Sequence, residues 1–302
     1  MDDVAALIRY RKRQDRWFQI AGLLCTLVGI VTLTVLLIDL ARDGLTRIDW
    51  QFLTSFPSRR AERAGILSAW VGSLLVLLVT LVTAVPLGVA AAVYLEEYGR
   101  KSRMASLIEI NIANLAGVPS IIYGLMALGV LVYGLGLSRS ILAGGLTLAA
   151  LVLPIVIVTT REALRSIPTA IREAAFAAGA TRWQVVRYHL LPYSMGGIAT
   201  GTIIALSRAV GETAPLITIG ALTYIGFLPP PPWQSTPPYV NFRWLHSPFT
   251  VLPIQMFNWM SRPTEDFHRN AAATGLVLMA LTLSLNALAI AIRYRVRRRI
   301  QW

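Results

Sequence analysis

SIPTAIREAAFAAGATRWQVVRYHLLP, Ser166–Pro192, is a polar interval between two apolar runs of the chain. It reads as helix–turn–helix. Pro168 is placed for a first helical turn, and Gly179 for the end of a short helix. Thr181 with Gln184 three residues on is a capping-box pattern that starts a second helix. Ile171, Ala175 and Ala178 share one face of the first helix; Trp183, Val186 and Leu190 share one face of the second. Two short amphipathic helices need cover for their apolar faces. Either they lie on the chain's own inner ends, or a partner grips them helix-in-groove.

The surrounding chain says where this loop sits. Of 302 residues, 55% are hydrophobic and only 14% charged, and the mean hydropathy is +0.60. A soluble chain would carry about 25% charged residues, so the class is an all-α polytopic membrane protein. Charge-free runs long enough to span occur at Trp17–Ile38, Ala64–Leu95, Ile110–Ser138, Ser140–Thr160 and Asn270–Ile292. The interrupted region Tyr193–Leu228 completes six transmembrane helices. The first run is too long for a signal-peptide core, and LIDLARD after it offers no small-residue cleavage site, so it is read as a retained span. The domain reading is one membrane domain over 1–302. Its first span is 17–38, its core 64–292, its coupling loop 166–192, and its large outer loop 228–269.

The net charge of +13 would suggest nucleic acid in a soluble protein. Here the cations cluster at both ends and between the apolar runs, so they set topology and no nucleic acid is expected. With both termini in the cytoplasm, the inside segments hold 18 Lys/Arg and the outside segments 9, which favours that orientation. The first outside loop weakens the bias, because Arg42, Arg47, Arg59, Arg60 and Arg63 all lie there. Cys25 sits in an apolar run and reads as a buried packing residue. His189, His246 and His268 show no metal-ligand spacing, so no metal site is expected. Pro86, Pro119, Pro154 and Pro215 read as tolerated kinks within or at the edges of spans. PPPPWQSTPP in the large outer loop is expected to be extended, as a partner surface or a rigid connection.

SRAVGETAPL, Ser207–Leu216, puts two ionisable groups inside the fifth span. Each costs some 2.5–3.5 kcal/mol on insertion scales, about enough to keep it from lipid. Arg208 and Glu212 are four apart, share a helix face and can pair. They are either a neutralised pair that fixes packing, or a pathway in which the Arg208 fork meets an oxyanion and Glu212 holds it. Counted from Ser194, Arg208 lies roughly 21 Å along the span, in its outer half. Pro215 then ends or kinks the helix. Asn111 and Asn114, near the inner end of the third span, are secondary candidates that would bond neighbouring helices. No GxxxxGK[S/T] phosphate loop occurs, so the chain is not expected to hydrolyse ATP.

Glu173-Ala174-Ala175, three residues, Gly179, and later Leu191-Pro192 resemble the EAA loop of ABC-importer permeases. His189 stands where that pattern usually has Ile. The resemblance implies a type I permease bundle whose coupling helix docks in a cleft of a separate ATPase. Glu173, Ala174, Ala175 and Gly179 would form that coupling site. SRAVGETAPL closely resembles the A-type permease subunit of high-affinity phosphate ABC importers, as do YLEEYG (Tyr94–Gly99) and VPSIIYGLMALG (Val118–Gly129). This implies phosphate import across a bacterial cytoplasmic (inner) membrane. The implied partners are a second homologous permease, two copies of an ATP-binding subunit, an extracytoplasmic phosphate-binding protein and membrane lipid. No cofactor would be held here, since ATP and Mg would bind the ATPase. Carried onto this chain, Arg208 becomes the anion contact and Glu212 its partner. A same-fold permease for phosphonate, sulfate or molybdate, an ion-coupled transporter and a non-transporting scaffold are the alternatives.

Overall fold

A computed structural model describes residues 2–99, 102–233 and 239–298. Among them the regular structure is helical: α1 (Asp2–Leu45), α2 (Trp50–Thr54), α3 (Leu67–Val93), α4 (Arg103–Ala116), α5 (Ser120–Ala127) and α6 (Ile141–Arg165) come first. Then follow α7 (Thr169–Ala177), α8 (Arg182–Val185), α9 (Leu191–Gly211), α10 (Ala214–Thr218), α11 (Leu252–Met260) and α12 (Glu265–Arg298). π-Turns extend α3 through Tyr94–Tyr98 and α5 through Leu128–Gly134, and join α8 to α9 through Val186–Leu190. Among the described residues five helices are long and apolar enough to cross a membrane, and α4 with α5 would make a sixth.

Helix α6 is the axis of the bundle. Two thirds of its most apolar window is buried within the protein, against none of the window in α1. Lipid gives apolar helices no hydrophobic reason to associate, so close approach and hydrogen bonds must hold them. Both are present around α6. On the α3 side, Thr80 Oγ1 donates to Gly145 O at 3.1 Å. On the α9 side, Gly201 lies so close that an added Cβ would collide with the Thr159 side chain. Val76, Leu148, Val152, Ala205 and Ala209 fill the core between these three helices. Helix α12 packs on α9, and α1 packs on α12.

The third run departs from a straight span. Helices α4 and α5 meet at 110° across a break of four residues or fewer. Pro119, in extended conformation at φ −55° and ψ 136°, begins the new direction, as expected where proline disfavours helix before it. Tyr123 is buried and its hydroxyl donates to Leu115 O at 2.8 Å, tying the two arms together. By contrast Pro86 and Pro154 are accommodated inside α3 and α6.

Other expectations change as well. Cys25 is exposed and not buried as expected, because none of the apolar window of α1 is buried within the protein. Asn111 bonds its own helix, donating to Leu107 O at 2.8 Å, and not a neighbour. The large outer loop is partly ordered: it contains a 3₁₀ turn at Arg243–His246 and helix α11, and α12 already begins at Glu265. Five residues of PPPPWQSTPP, 234–238, lie outside the described residues. So do 100–101 and 299–302, which carry part of the inside charge count.

Each end of the bundle has its own set of staples. At one face, Arg47 Nε donates to Asn270 Oδ1 at 3.0 Å, and Arg47 Nη2 to Glu62 O at 2.8 Å and Ala64 O at 3.0 Å. Phe52, Trp259 and Phe267 form a buried aromatic cluster beneath them. The interval Ser166–Pro192 lies at the opposite face. That second face is called here the loop face.

Candidate functional site

Helix α7 is short and amphipathic, and Ile171 and Ala175 pack it down on Val93, Leu164, Val185, Val186 and Leu190. The chain thus covers the inner faces of its own loop helices. Ala178 is exposed because α7 ends at Ala177. Gly179 follows at φ +84°, a left-handed conformation that L side chains rarely adopt. It turns the chain into α8, where Thr181 and Gln184 form both bonds of the capping box at 2.7 and 3.3 Å. Trp183 is exposed, since it lies two residues from buried Val185 and so on the opposite side of the helix. Pro168 occupies the cap position, one residue before α7.

The outward surface of this loop is what a partner would meet. Glu173 and Ala174 are exposed, and Glu173 has no ion pair or hydrogen bond among the described residues. Phe176, Trp183 and Tyr188 are large, apolar and more than two fifths exposed. Ala175 faces inward instead and anchors the helix.

A network of charges at the root of this loop had no place in the reading of motifs. Arg172 is buried, and its Nη2 and Nη1 donate to Leu164 O (2.9 Å) and Ile167 O (3.2 Å). The same guanidinium grips Glu97 Oε1 at 3.1 Å from Nη2 and 3.2 Å from Nε. Next to it Glu96, also buried, accepts from Arg165 Nε at 2.9 Å and lies 3.8 Å from Arg161 Nε. Arg161 Nη1 reaches Glu109 Oε1 on α4 at 3.0 Å. Three arginines thus join the turn after α3, the middle of α4, the end of α6 and α7. The signals were the paired acids of YLEEYG and the i,i+4 arginines of Arg161–Arg165, but nothing in their spacing pairs them.

Arg208 and Glu212 are brought together by a helix end. Helix α9 stops at Gly211, and Glu212 is its C-cap, in extended conformation at φ −77° and ψ 119°. The two therefore do not share a helix face as expected. Pro215 initiates the separate short helix α10 and does not kink a continuous one. The pair still forms, with Arg208 Nε 3.3 Å from Glu212 Oε1. Their surroundings differ sharply. The Glu212 side chain is 17% exposed and Arg208 45%. Glu212 lines a small cavity of about 10 Å³ with Ser73, Leu148, Val210 and Val251, about the space of one water. Nη1 and Nη2 of Arg208 have no partner among the described residues. On the same turn, Ser207 Oγ donates to Asn286 Oδ1 at 2.8 Å, which fixes α9 against α12. Arg208 stands in the last turn of α9, roughly 39 Å by helical rise from Arg182 at the loop face.

Comparison with known proteins agrees with this architecture. Residues 84–302 match the family described as binding-protein-dependent transport system inner membrane component. The chain is 32% identical to the phosphate transport system permease protein PstA of Xylella fastidiosa, over 81% of this chain and 80% of that one. It is 31% identical to the PstA of Haemophilus influenzae, over 90% of both. A probable ABC transporter permease protein of Bacillus subtilis, YqgI, is 30% identical over 85% of this chain and 88% of its own. Among solved structures, a chain of a bacterial alginate ABC transporter in complex with its alginate pentasaccharide-bound periplasmic protein superposes with a TM-score of 0.66. That chain is 16% identical, with 95% of this chain and 97% of that one covered. A chain of the inward-facing MetNI methionine ABC transporter gives 0.54 at 20% identity, over 76% of this chain and 92% of that one.

Proposed function

Because this chain belongs to the family of binding-protein-dependent transport system inner membrane components, we propose that it is the permease that carries inorganic phosphate through an ATP-driven importer. The observation that carries this reading is the half-exposed guanidinium of Arg208. Glu212 takes its Nε, and the two terminal nitrogens have no partner among the described residues. That is the fork geometry a tetrahedral oxyanion fits with two parallel hydrogen bonds. Resemblance over most of the chain to permeases named for phosphate transport supports phosphate over other oxyanions as the cargo.

In this mechanism the chain does no covalent chemistry. Glu212 holds Arg208 near the end of α9, and its negative charge lowers the net attraction enough for the anion to leave again. ATP and Mg bind a separate subunit, present in two copies, whose closure reaches α7 through Glu173, Ala174 and the exposed aromatic residues. The network of Arg161, Arg165 and Arg172 passes that movement to α3, α4 and α6. A second, homologous permease would complete the pathway that Arg208 faces, and an extracytoplasmic binding protein would deliver phosphate. The loop face, with both chain ends, is then cytoplasmic.

The test is the complex reconstituted in vesicles with its binding protein. Arg208→Gln is expected to abolish phosphate uptake while assembly and basal ATP turnover persist. Normal uptake by that variant would remove Arg208 from the path. Stimulation by a sulfate- or molybdate-loaded binding protein instead of a phosphate-loaded one would reassign the cargo. A wild-type complex that assembles but moves none of these anions would leave a scaffold.

A further inference from the structure

Four arginines converge at the face opposite the loop, and no carboxylate pairs with any of them among the described residues. Arg59, Arg60 and Arg63, between α2 and α3, join Arg262 beyond α11 around an open basin of about 790 Å³. Pro57, Ser58 and Tyr224 complete its wall, and no carboxylate lines it. Among the described residues, none of the four guanidinium groups is in an ion pair. Arg262 is held in place by Asn258 Oδ1 at 3.3 Å and by the Phe267 ring, whose centroid lies 4.2 Å away.

Structural need does not account for these charges. The same segment has a structural arginine, Arg47, whose donors are taken by Asn270, Glu62 O and Ala64 O. Acidic side chains of this region are sorted away from the basin as well. Glu62 and Asp266 line a separate pocket with Arg47 and Arg269. Four like charges around one hollow repel one another, and a concave wall of one sign focuses the field on its interior. Planar forks, a tyrosine and a serine hydroxyl make a donor-rich lining with the chemistry of a phosphate site.

We propose that this basin is a second anion site, which takes a phosphate group carried either by the free ion or by a lipid headgroup at the membrane surface. It rests on the phosphate reading above for the choice of anion, and on its own lining for everything else. Tyr224 belongs to the segment that continues from α10, so the basin adjoins the stretch that follows Arg208 and Glu212. A free ion held there would be concentrated beside the entrance to the path. Because Arg59, Arg60 and Arg63 are exposed, binding is weak and falls with ionic strength.

Equilibrium dialysis of radiolabelled inorganic phosphate tests this on the full chain in phospholipid-free detergent at low salt. Wild type and Arg208→Gln are expected to bind in the basin with the same Kd. The double variant R60A/R63A is expected to weaken binding by about ten-fold or more, and R60K/R63K, which keeps charge but loses the forks, by less. Equal Kd for wild type and R60A/R63A overturns the proposal. A second arm weighs phosphatidylglycerol that stays on the chain through purification from lipid. If free phosphate does not bind, but R60A/R63A retains less of this lipid than wild type, the headgroup is the source and the site stands. No free-phosphate binding and no difference in lipid overturns it. Thermal unfolding by circular dichroism separates either result from misfolding. Import of a different anion by the reconstituted complex would defeat the transport reading without touching the dialysis result.

Discussion

Arg208 gives one donor to Glu212 and, among the described residues, keeps the rest free, so charge and shape can be tested apart. Arg208→Lys keeps the cation but loses the planar fork. Uptake measured against phosphate concentration should then show a KM raised about ten-fold, the size of one lost bidentate bond of ~1.4 kcal/mol, with assembly unchanged. Gly179 is a different case. Its φ is +84° and nothing lies within 4 Å of where a Cβ would stand. The cost of a side chain there is conformational rather than steric, about 1–2 kcal/mol for a left-handed L residue. Gly179→Ala should therefore lower the thermal midpoint of the purified chain modestly, and Gly179→Val more. Each should weaken co-purification of the ATPase in the same order. These two residues were legible because each is read from its own type and neighbours: an ionisable pair in an apolar run, and a glycine at the end of a short helix. The exposure of Arg208 relative to Glu212 was not, because it depends on α9 ending at Gly211, and RAVGETAP carries no unambiguous stop before Pro215.

At the scale of elements, helix α7 is fastened to the membrane bundle by charge as well as by packing. Arg172 is the fastening: it is buried, bonded to two α6-end carbonyls and paired with Glu97. Replacing it by Met would keep much of the volume but leave Glu97 and the carbonyls without their partner. Breaking a buried pair from one side costs about 3–5 kcal/mol. Arg172→Met should therefore loosen α7. The expected readout is ATP turnover that continues in the complex without matched phosphate uptake. Full coupling would show that the apolar contacts of Ile171 and Ala175 carry the load alone. The two halves of this network were each visible as motifs. Their pairing joins residues 69 and 75 positions apart, and helical periodicity reports only neighbours within a turn or two. The same limit hid the bend at Pro119. Hydropathy measures the length of an apolar run, whereas the direction of the chain within it is set by one proline and one tyrosine hydrogen bond.

For the whole molecule, composition and run length sufficed to show a helical membrane bundle, because a bilayer admits few alternatives to apolar helices. They misjudged which surfaces are used. The first loop looked like noise in the charge count, with five arginines on the wrong side of the topology. In the fold, one of these is a structural staple and three line a basin, so their presence opposes the topological bias for local reasons. Sidedness can be tested directly, since the chain has a single cysteine and it lies in the exposed middle of α1. In a Cys25→Ser background, Ser58→Cys marks the basin face and Ala178→Cys the loop face. In sealed spheroplasts, a membrane-impermeant maleimide should label the Ser58 variant, and should label the Ala178 variant only after lysis. The opposite pattern would place α7 outside the cell. ATPase in the cytoplasm would then have no access to Glu173, and the coupling role of the loop, together with the direction of transport inferred from it, would have to be abandoned.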